Sequence, residues 1–204
     1  MTSQTERARV FSDLHRGSKP LVLPNIWDPL GAVLVADAGF PALATASAGV
    51  ALSRGYDDGE RVSFDRLVEF VEDVLRVVDL PLTVDFERGY ASTASQLYTN
   101  TARLLEAGAV GVNIEDSLRN GRLRPVDEQA TRISAVRRAA VDSGVALFLN
   151  ARTDAFVTLL GDAAVQEAKE RSVAYRDAGA DGVYPILCED PDTLTAIHEA
   201  SGLP

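Results

Sequence analysis

Five polar residues stand where apolar runs of strand length come to an end: Asp85 and Glu87 in "LTVDFERGY" (82–90), Glu115 in "GVNIED" (111–116), and Asn150 and Arg152 in "LFLNARTDAF" (147–156). Side chains alternate along a strand, so Asp85 and Glu87 should share one face while Val84 and Phe86 take the other. The same alternation groups Asn113 with Glu115, and Asn150 with Arg152 and Asp154. Carboxylates gathered from neighbouring strands repel one another unless a cation sits among them. Hard oxygen ligands without His or Cys suit Mg2+, or Mn2+, rather than zinc. Taken singly, each acidic residue also reads as a solvated strand end or a helix cap. Their recurrence on adjacent strands points to Asp85, Glu87 and Glu115 as metal ligands.

Arg152, at the mouth of an apolar strand, is suited to grip a carboxylate or phosphonate in a bidentate fork; an ion pair with Glu115 or Asp154 is the other reading, and the two are compatible. In "ATASAG" (44–49) Ser47 and the amides of Ala48 and Gly49 form a turn able to bind an oxyanion or carboxylate, although small residues also merely permit tight packing. With Asn113, these residues complete the substrate-binding candidates. Ser47, Asp58 and Arg152 are the catalytic candidates. Asp58 lies in the loop "VALSRGYDDGERVS" (50–63) with Arg54, Asp57 and Glu60, where Gly55 and Gly59 allow movement; a solvated turn is the alternative. The segment "DSLRNGRLRP" (116–125) is polar, basic and Gly-containing, and could close over an anion. His15 and His198 sit on helix-like stretches far from the strand ends, so no His-based triad is expected, and Cys188 reads as an inert small residue.

The elements that must carry these residues are signalled by three echoes: "DAGFPALATAS" (37–47), "EAGAVGVNIED" (106–116) and "DAGADGVYPIL" (177–187). In each, an Ala-Gly pair closes an amphipathic segment and an apolar run follows, as at a helix-to-strand junction capped by a left-handed glycine. Strands are expected near 21–25, 42–47, 82–86, 110–115, 146–152 and 182–187. Helices are expected near 29–38, 63–77, 93–107, 126–142, 162–178 and 191–200. Nearly continuous apolar strands suit a parallel sheet covered on both faces.

Two architectures fit: a doubly wound open sheet and a (β/α)8 TIM-type barrel. No glycine-rich phosphate loop follows the first strand, and polar residues end several different strands, which favours the barrel. Eight strands are needed and six are present; "HEASGLP" at the end echoes "RVVDLP" before the third strand. The expectation is a barrel-type α/β chain, residues 1–204 forming one domain, that ends after the sixth β/α unit.

The 204 residues are 46% hydrophobic and 25% charged, a make-up that fits a soluble globular protein and excludes disordered and fibrous classes. No apolar run approaches a membrane span and no secretory leader opens the sequence, so residence in the cytoplasm is expected. A single cysteine rules out an intrachain disulfide. The net charge of −10 argues against nucleic acid and anionic membranes as partners, yet leaves room for a small anionic substrate in a locally basic pocket.

Together, "ATASAGVALSRGYDDGE", "TVDFERGY", "GVNIEDS" and "NARTDAF" resemble the isocitrate lyase/phosphoenolpyruvate mutase superfamily, from about Leu21 to Pro204. The resemblance implies a Mg2+-dependent (β/α)8 barrel, often a homotetramer that exchanges a C-terminal helix. It implies making or breaking a C–C or P–C bond next to a 2-oxo acid through an enolate-like state. It also implies Asp85 as direct metal ligand, Glu87 and Glu115 as ligands largely through water, Ser47 with the following amides on the oxo-acid carboxylate, Asp58 in a gating loop and Arg152 on the substrate anion. The Lys-Lys-Cys-Gly-His loop of the isocitrate and methylisocitrate lyases is replaced by "SLRNGRLRP", the mutases' His near the end of strand six is absent from "VYPILCED", and the metal motif is Asp-x-Glu rather than Asp-x-Asp. The general acid/base therefore stays open among Tyr90, Asp58 and a metal-bound water. The implied activity is a lyase acting on a small 2-oxo or 2-hydroxy dicarboxylate; alternatives are P–C bond chemistry on phosphonopyruvate-like compounds and a non-catalytic fragment.

Overall fold

The computed structural model describes residues 2–17 and 19–204. A helix, α1 (Gln4–Leu14), precedes six strands: β1 (Asn25–Ile26), β2 (Leu43–Thr45), β3 (Leu82–Asp85), β4 (Gly111–Glu115), β5 (Phe148–Thr153) and β6 (Gly182–Pro185). The helices between and after them are α2 (Pro29–Asp37), α3 (Ser47–Leu52), α4 (Phe64–Val77), α5 (Ala94–Glu106), α6 (Val126–Asp142), α7 (Ala155–Thr158), α8 (Gly161–Asp177) and α9 (Pro191–Ser201). All strand pairs are parallel and the sheet order is β1-β2-β3-β4-β5-β6. Strictly consecutive order is barrel connectivity, because a doubly wound sheet reverses its order at a switch point. The open-sheet alternative is thereby set aside.

The Ala-Gly junctions form as the sequence implies. Gly39, Gly108 and Gly179 have φ of 84°, 103° and 104° just past α2, α5 and α8. At the second, the amide of Ala109 donates to Leu104 O (3.1 Å) and that of Gly108 to Leu105 O (3.0 Å), the paired bonds that satisfy a helix's last carbonyls. At the opposite ends, Asp28, Ser63, Thr93 and Asp190 cap α2, α4, α5 and α9 through their side-chain oxygens.

Val84, Phe86, Val112, Ile114, Leu149 and Ala151 point outward into one buried layer with Leu97, Leu104, Ile133, Val136 and Tyr175 from the helices. A fully buried Phe or Leu of this layer contributes roughly 2 kcal/mol. A second cluster, Ala8 and Phe11 of α1 with Ala42, Val110 and Phe148, closes the end where the strands begin. Phe11 fits there because Gly111 has no side chain: a Cβ on it would lie 2.7 Å from the Phe11 ring.

Four elements depart from expectation. The first strand pairs only at Asn25–Ile26, not from residue 21, because prolines at 20 and 24 have no N–H to give a ladder. Helix α1 was foreshadowed only as a helix-like stretch around His15, and the short helices α3 and α7 occupy what read as loop. Among the described residues no helix is long and apolar enough to cross a membrane.

Candidate active site

The inward side chains of all six strands line one cavity of about 600 Å3. At the C-terminal mouth lie Ser47, Ala48, Asp58, Asp85 and Arg152. Asn113 and Asn150 form its middle, and Phe11, His15 and Phe148 its far end. Sheet register builds the middle row: Asp85 pairs with Asn113 and Asn113 with Asn150, while one pair further on Glu115 lies opposite Arg152 and Arg152 opposite Tyr184. The Asn150 amide donates to Asn113 Oδ1 (2.8 Å), fixing both side chains across the cavity wall.

Asp85 is held from two sides. Its own amide donates to Thr45 Oγ1 (2.8 Å), and its Oδ2 accepts the amide of Ser47 (3.1 Å). The Ser47 amide is thus already committed, leaving the hydroxyl and Ala48 toward the cavity; Gly49 packs instead against the Trp27 ring.

Glu87 does not continue the strand alternation. β3 ends at Asp85, and Glu87 takes a left-handed φ of 48° in the following turn. Its carboxylate turns away from the cavity wall to accept the Glu60 amide (2.6 Å) and the Tyr90 hydroxyl (2.7 Å). Glu115 is likewise absent from the wall: Arg88 reaches one oxygen (3.1 Å) and Arg152 the other (3.2 Å). Among the described residues, no three His, Cys, Asp or Glu side chains close into a cage for a metal ion. Glu87 and Glu115 each sense the charge of Asp85. Burial foremost, then the charges of Asp58 and Asp85, push the Glu87 carboxyl up to about 6, against the pull of Tyr90 and Glu60. Burial likewise pushes Glu115 up to about 7; Arg152 and Arg88 oppose this while Asp154 and Asp85 add to it.

These residues fit a hard divalent cation. Mg2+ binds through one or two carboxylates and keeps several waters, so a closed cage is not what it requires. Asp85 and Asp58, both on the cavity wall, are the carboxylates available to it directly, with Glu87 and Glu115 within electrostatic reach behind them.

Arg152 makes the ion pairs read from the sequence and also faces the cavity. Its Nε donates to Asp154 (2.7 Å) and Nη1 pairs with Glu115 (3.2 Å), while the side chain lines the cavity. Burial alone would lower its pKa, but the Asp154 and Glu115 carboxylates raise it. Tyr90 is a poor base, because burial and the neighbouring Glu87 hold its hydroxyl far above the ordinary phenol range; it is a fixed hydrogen-bond donor.

Asp154 supports Arg152, as read from the sequence, but several residues behind it carried no clear sequence signal. The Asp154 amide donates to Asp116 Oδ1 (2.8 Å). Fully buried Asp116 accepts from the Tyr175 hydroxyl (2.7 Å) and Arg171 (3.2 Å) of α8, so the outer helix layer braces the strand-five mouth. Ser117 closes the same network through a hydrogen bond to Asp154. Asp116 follows Glu115 directly and could have been found as a second carboxylate in "NIED", but its outward direction shows only in three dimensions. His15 stacks on Phe148 at the far end of the cavity, with ring centroids 3.8 Å apart, away from the mouth as expected.

A parallel β/α barrel-type sheet whose mouth carries carboxylates and an inward arginine has the polar groups to hold a cation and a small anion side by side. The family model for phosphoenolpyruvate phosphomutase matches residues 11–204, and the chain belongs to that family, within the isocitrate lyase/phosphoenolpyruvate mutase superfamily of enzymes. A Burkholderia cenocepacia J2315 protein assigned as a phosphonomutase shares 41% identity and superposes with a TM-score of 0.94, covering 99% of this chain and 82% of that one. The 2-methylisocitrate lyase of Bacillus subtilis (strain 168) is 34% identical over 212 residues, 100% of this chain and 67% of its own. The oxaloacetate decarboxylase of Pseudomonas entomophila (strain L48) is 30% identical over 188 residues, 88% of this chain and 62% of its own. The chain therefore spans about two thirds of the length of these curated relatives.

Proposed function

We propose that this chain is a Mg2+-dependent lyase that cleaves, or in reverse forms, a C–C bond next to the oxo carbon of a small 2-oxo or 2-hydroxy dicarboxylate. The observation that carries the proposal is the convergence of Asp58, Asp85, Asn113 and Arg152 on one cavity at the C-terminal ends of adjacent parallel strands. Asp85 would hold the cation directly, Asp58 of the loop above is a second carboxylate available to it, and Glu87 and Glu115 would bind it through water. A bound divalent cation would supply positive charge to the oxygen of a developing enolate. The Arg152 guanidinium, braced by Asp154 and Glu115, orients a substrate carboxylate, and the Ser47 hydroxyl holds the other end of the substrate. Asn113, fixed by Asn150, offers a neutral contact between them. Manganese is expected to substitute for Mg2+.

A second reading is P–C bond chemistry on a phosphonopyruvate-like compound, favoured by the 41% identity to the phosphonomutase-assigned protein. It differs in requiring tight phosphonate binding through Arg152. We further propose a homo-oligomer, by analogy with the family, in the cytoplasm.

Thermal unfolding with Mg2+ or Mn2+, with and without oxalate as a mimic of the pyruvate enolate, tests the site in the wild type and in Asp85→Ala. Metal plus oxalate should raise the midpoint of the wild type by several degrees and leave the variant unmoved. No response in the wild type, or the same response in both, would remove the metal site and leave an inactive fragment as the reading. A shift with phosphonopyruvate larger than with oxaloacetate would select the P–C reading.

A further inference from the structure

Among the described residues only four that are not glycine have positive φ: Glu60 (61°), Glu87 (48°), Tyr90 (51°) and Leu187 (65°). The first three are bonded to one another in a closed triangle. The Glu60 amide donates to Glu87 Oε2 (2.6 Å), the Tyr90 hydroxyl to Glu87 Oε1 (2.7 Å), and the Tyr90 amide to Glu60 Oε1 (2.7 Å). Left-handed backbone at a bulky residue costs free energy that the surroundings must repay, and it gathers where function constrains the chain.

Glu60 is the corner that belongs to another segment. It lies in the polar, glycine-containing loop after α3, yet its side chain is only 3% exposed. Besides the Tyr90 amide, its carboxylate receives Arg119 of the 116–125 segment (2.9 Å) and faces Arg88 Nε (3.4 Å). That segment is itself a small hairpin, with Ser117 bridged to Leu123 and the Leu118 amide donating to Arg122 O (2.8 Å). One carboxylate thus joins three pieces of chain: the loop bearing Asp58, the turn bearing Glu87, and the basic hairpin.

We infer that Glu60 is a positioning residue, a latch that fastens the Asp58 loop and the 117–123 hairpin to the end of β3, so that both loops are held or released together by one side chain. Asp58 stands two residues before this latch and lines the cavity mouth, so its placement follows that of Glu60. The expected effect on ligand binding rests on the reading under Proposed function; the mechanical coupling of the two loops does not.

Hydrogen-exchange mass spectrometry on the metal-free chain separates these. In Glu60→Ala, amides in 53–63 and in 116–125 should both exchange several-fold faster than in the wild type, with the helices unchanged. Glu60→Gln keeps an oxygen for the Tyr90 amide but weakens the arginine contacts, so only 116–125 should loosen. Arg119→Gln, at a side chain 71% exposed and safe for folding, should do the same. A Glu60→Ala protein in which either segment keeps wild-type exchange would overturn the latch, as would Arg119→Gln leaving the hairpin unchanged. In parallel, Mg2+ with oxalate should bind at least ten-fold more weakly to Glu60→Ala than to the wild type, and unchanged affinity would overturn the positioning role. If the wild type itself fails to bind, the proposed function falls while the exchange result still decides the latch.

Discussion

The backbone amide of Ser47 donates to a carboxylate oxygen of Asp85 across 3.1 Å, tying the first turn after β2 to the end of β3. Asp85 thereby keeps one fixed orientation on the cavity wall, with Glu87 and Glu115 raised in pKa partly by its charge. An amide oxygen can replace the carboxylate in that bond, whereas the charge cannot be replaced. Asp85→Asn should therefore leave the metal-free protein as stable as the wild type or up to about 1 kcal/mol more stable, while abolishing the Mg2+ response. Urea unfolding with and without Mg2+ measures both, and a strongly destabilised metal-free variant would contradict the electrostatic account.

Acidity should tell in a defined direction. Glu87 and Glu115 titrate near 6 and 7 in the folded chain, above the 4.5 of an unperturbed glutamate. The folded state then binds more protons than the unfolded one, and stability falls as pH rises from about 4.5 to about 7, by an amount on the order of 2 to 4 kcal/mol from these two groups together. Mg2+ requires the ionised forms, so its stabilising effect should grow across the same window. Carboxyl 13C NMR titration with and without Mg2+ reads each group; midpoints near 4.5 for both would refute the prediction.

Replacing Arg152 by Lys keeps a charge but loses the fork between Asp154, Glu115 and the cavity. Oxalate affinity should drop at least ten-fold in Arg152→Lys, with a stability change of about 1–2 kcal/mol. Calorimetric titration decides this, and wild-type affinity in the variant would remove Arg152 from anion binding.

The brace behind β5 is a matter of stability. Asp116→Ala strands the buried Arg171 guanidinium with Glu167 as its remaining carboxylate, for an expected loss of about 3–5 kcal/mol. Tyr175→Phe removes one hydrogen bond to Asp116 and should cost about 1–2 kcal/mol. A loss below 1 kcal/mol for Asp116→Ala in denaturant unfolding would show that the network carries little.

Gly111→Ala places a methyl group 2.7 Å from both the Phe11 ring and Thr83 Oγ1. Because Phe11 is fully buried, α1 must shift, and roughly 1–3 kcal/mol should be lost together with protection of the α1 amides from exchange. Unchanged α1 protection would mean that the helix docks without Phe11.

Much of the layout was legible in one dimension because parallel strands buried on both faces read as apolar runs, and because Ala-Gly pairs mark where each helix must stop. Helix α6 spans Val126–Asp142, as expected from the sequence, and β3 and β4 lie within one residue of expectation. Alternation placed Asp85, Asn113, Asn150 and Arg152 on the inner wall, where the register holds them. It failed at Glu87, because alternation presumes extended backbone and Glu87 lies beyond the strand in a left-handed turn. Glu60 read only as part of a polar turn for the opposite reason: a glutamate directly after a glycine in a polar loop resembles solvent-facing sequence, and only the fold buries it under Tyr90 and two arginines. The support of Asp154 by Asp116 and α8 joins residues far apart in the chain, which no local pattern encodes.

The strictly consecutive strand order has a consequence for how the molecule is made. Every residue of the charged mouth lies between Ser47 and Asp154, on units whose pairing partners have already left the ribosome when each new strand emerges. A nascent chain can therefore finish the mouth before β6 and α9 are translated, each unit docking on an edge that is already set. Contacts between chain neighbours keep the loops to be closed short, a topology that favours rapid, stepwise folding.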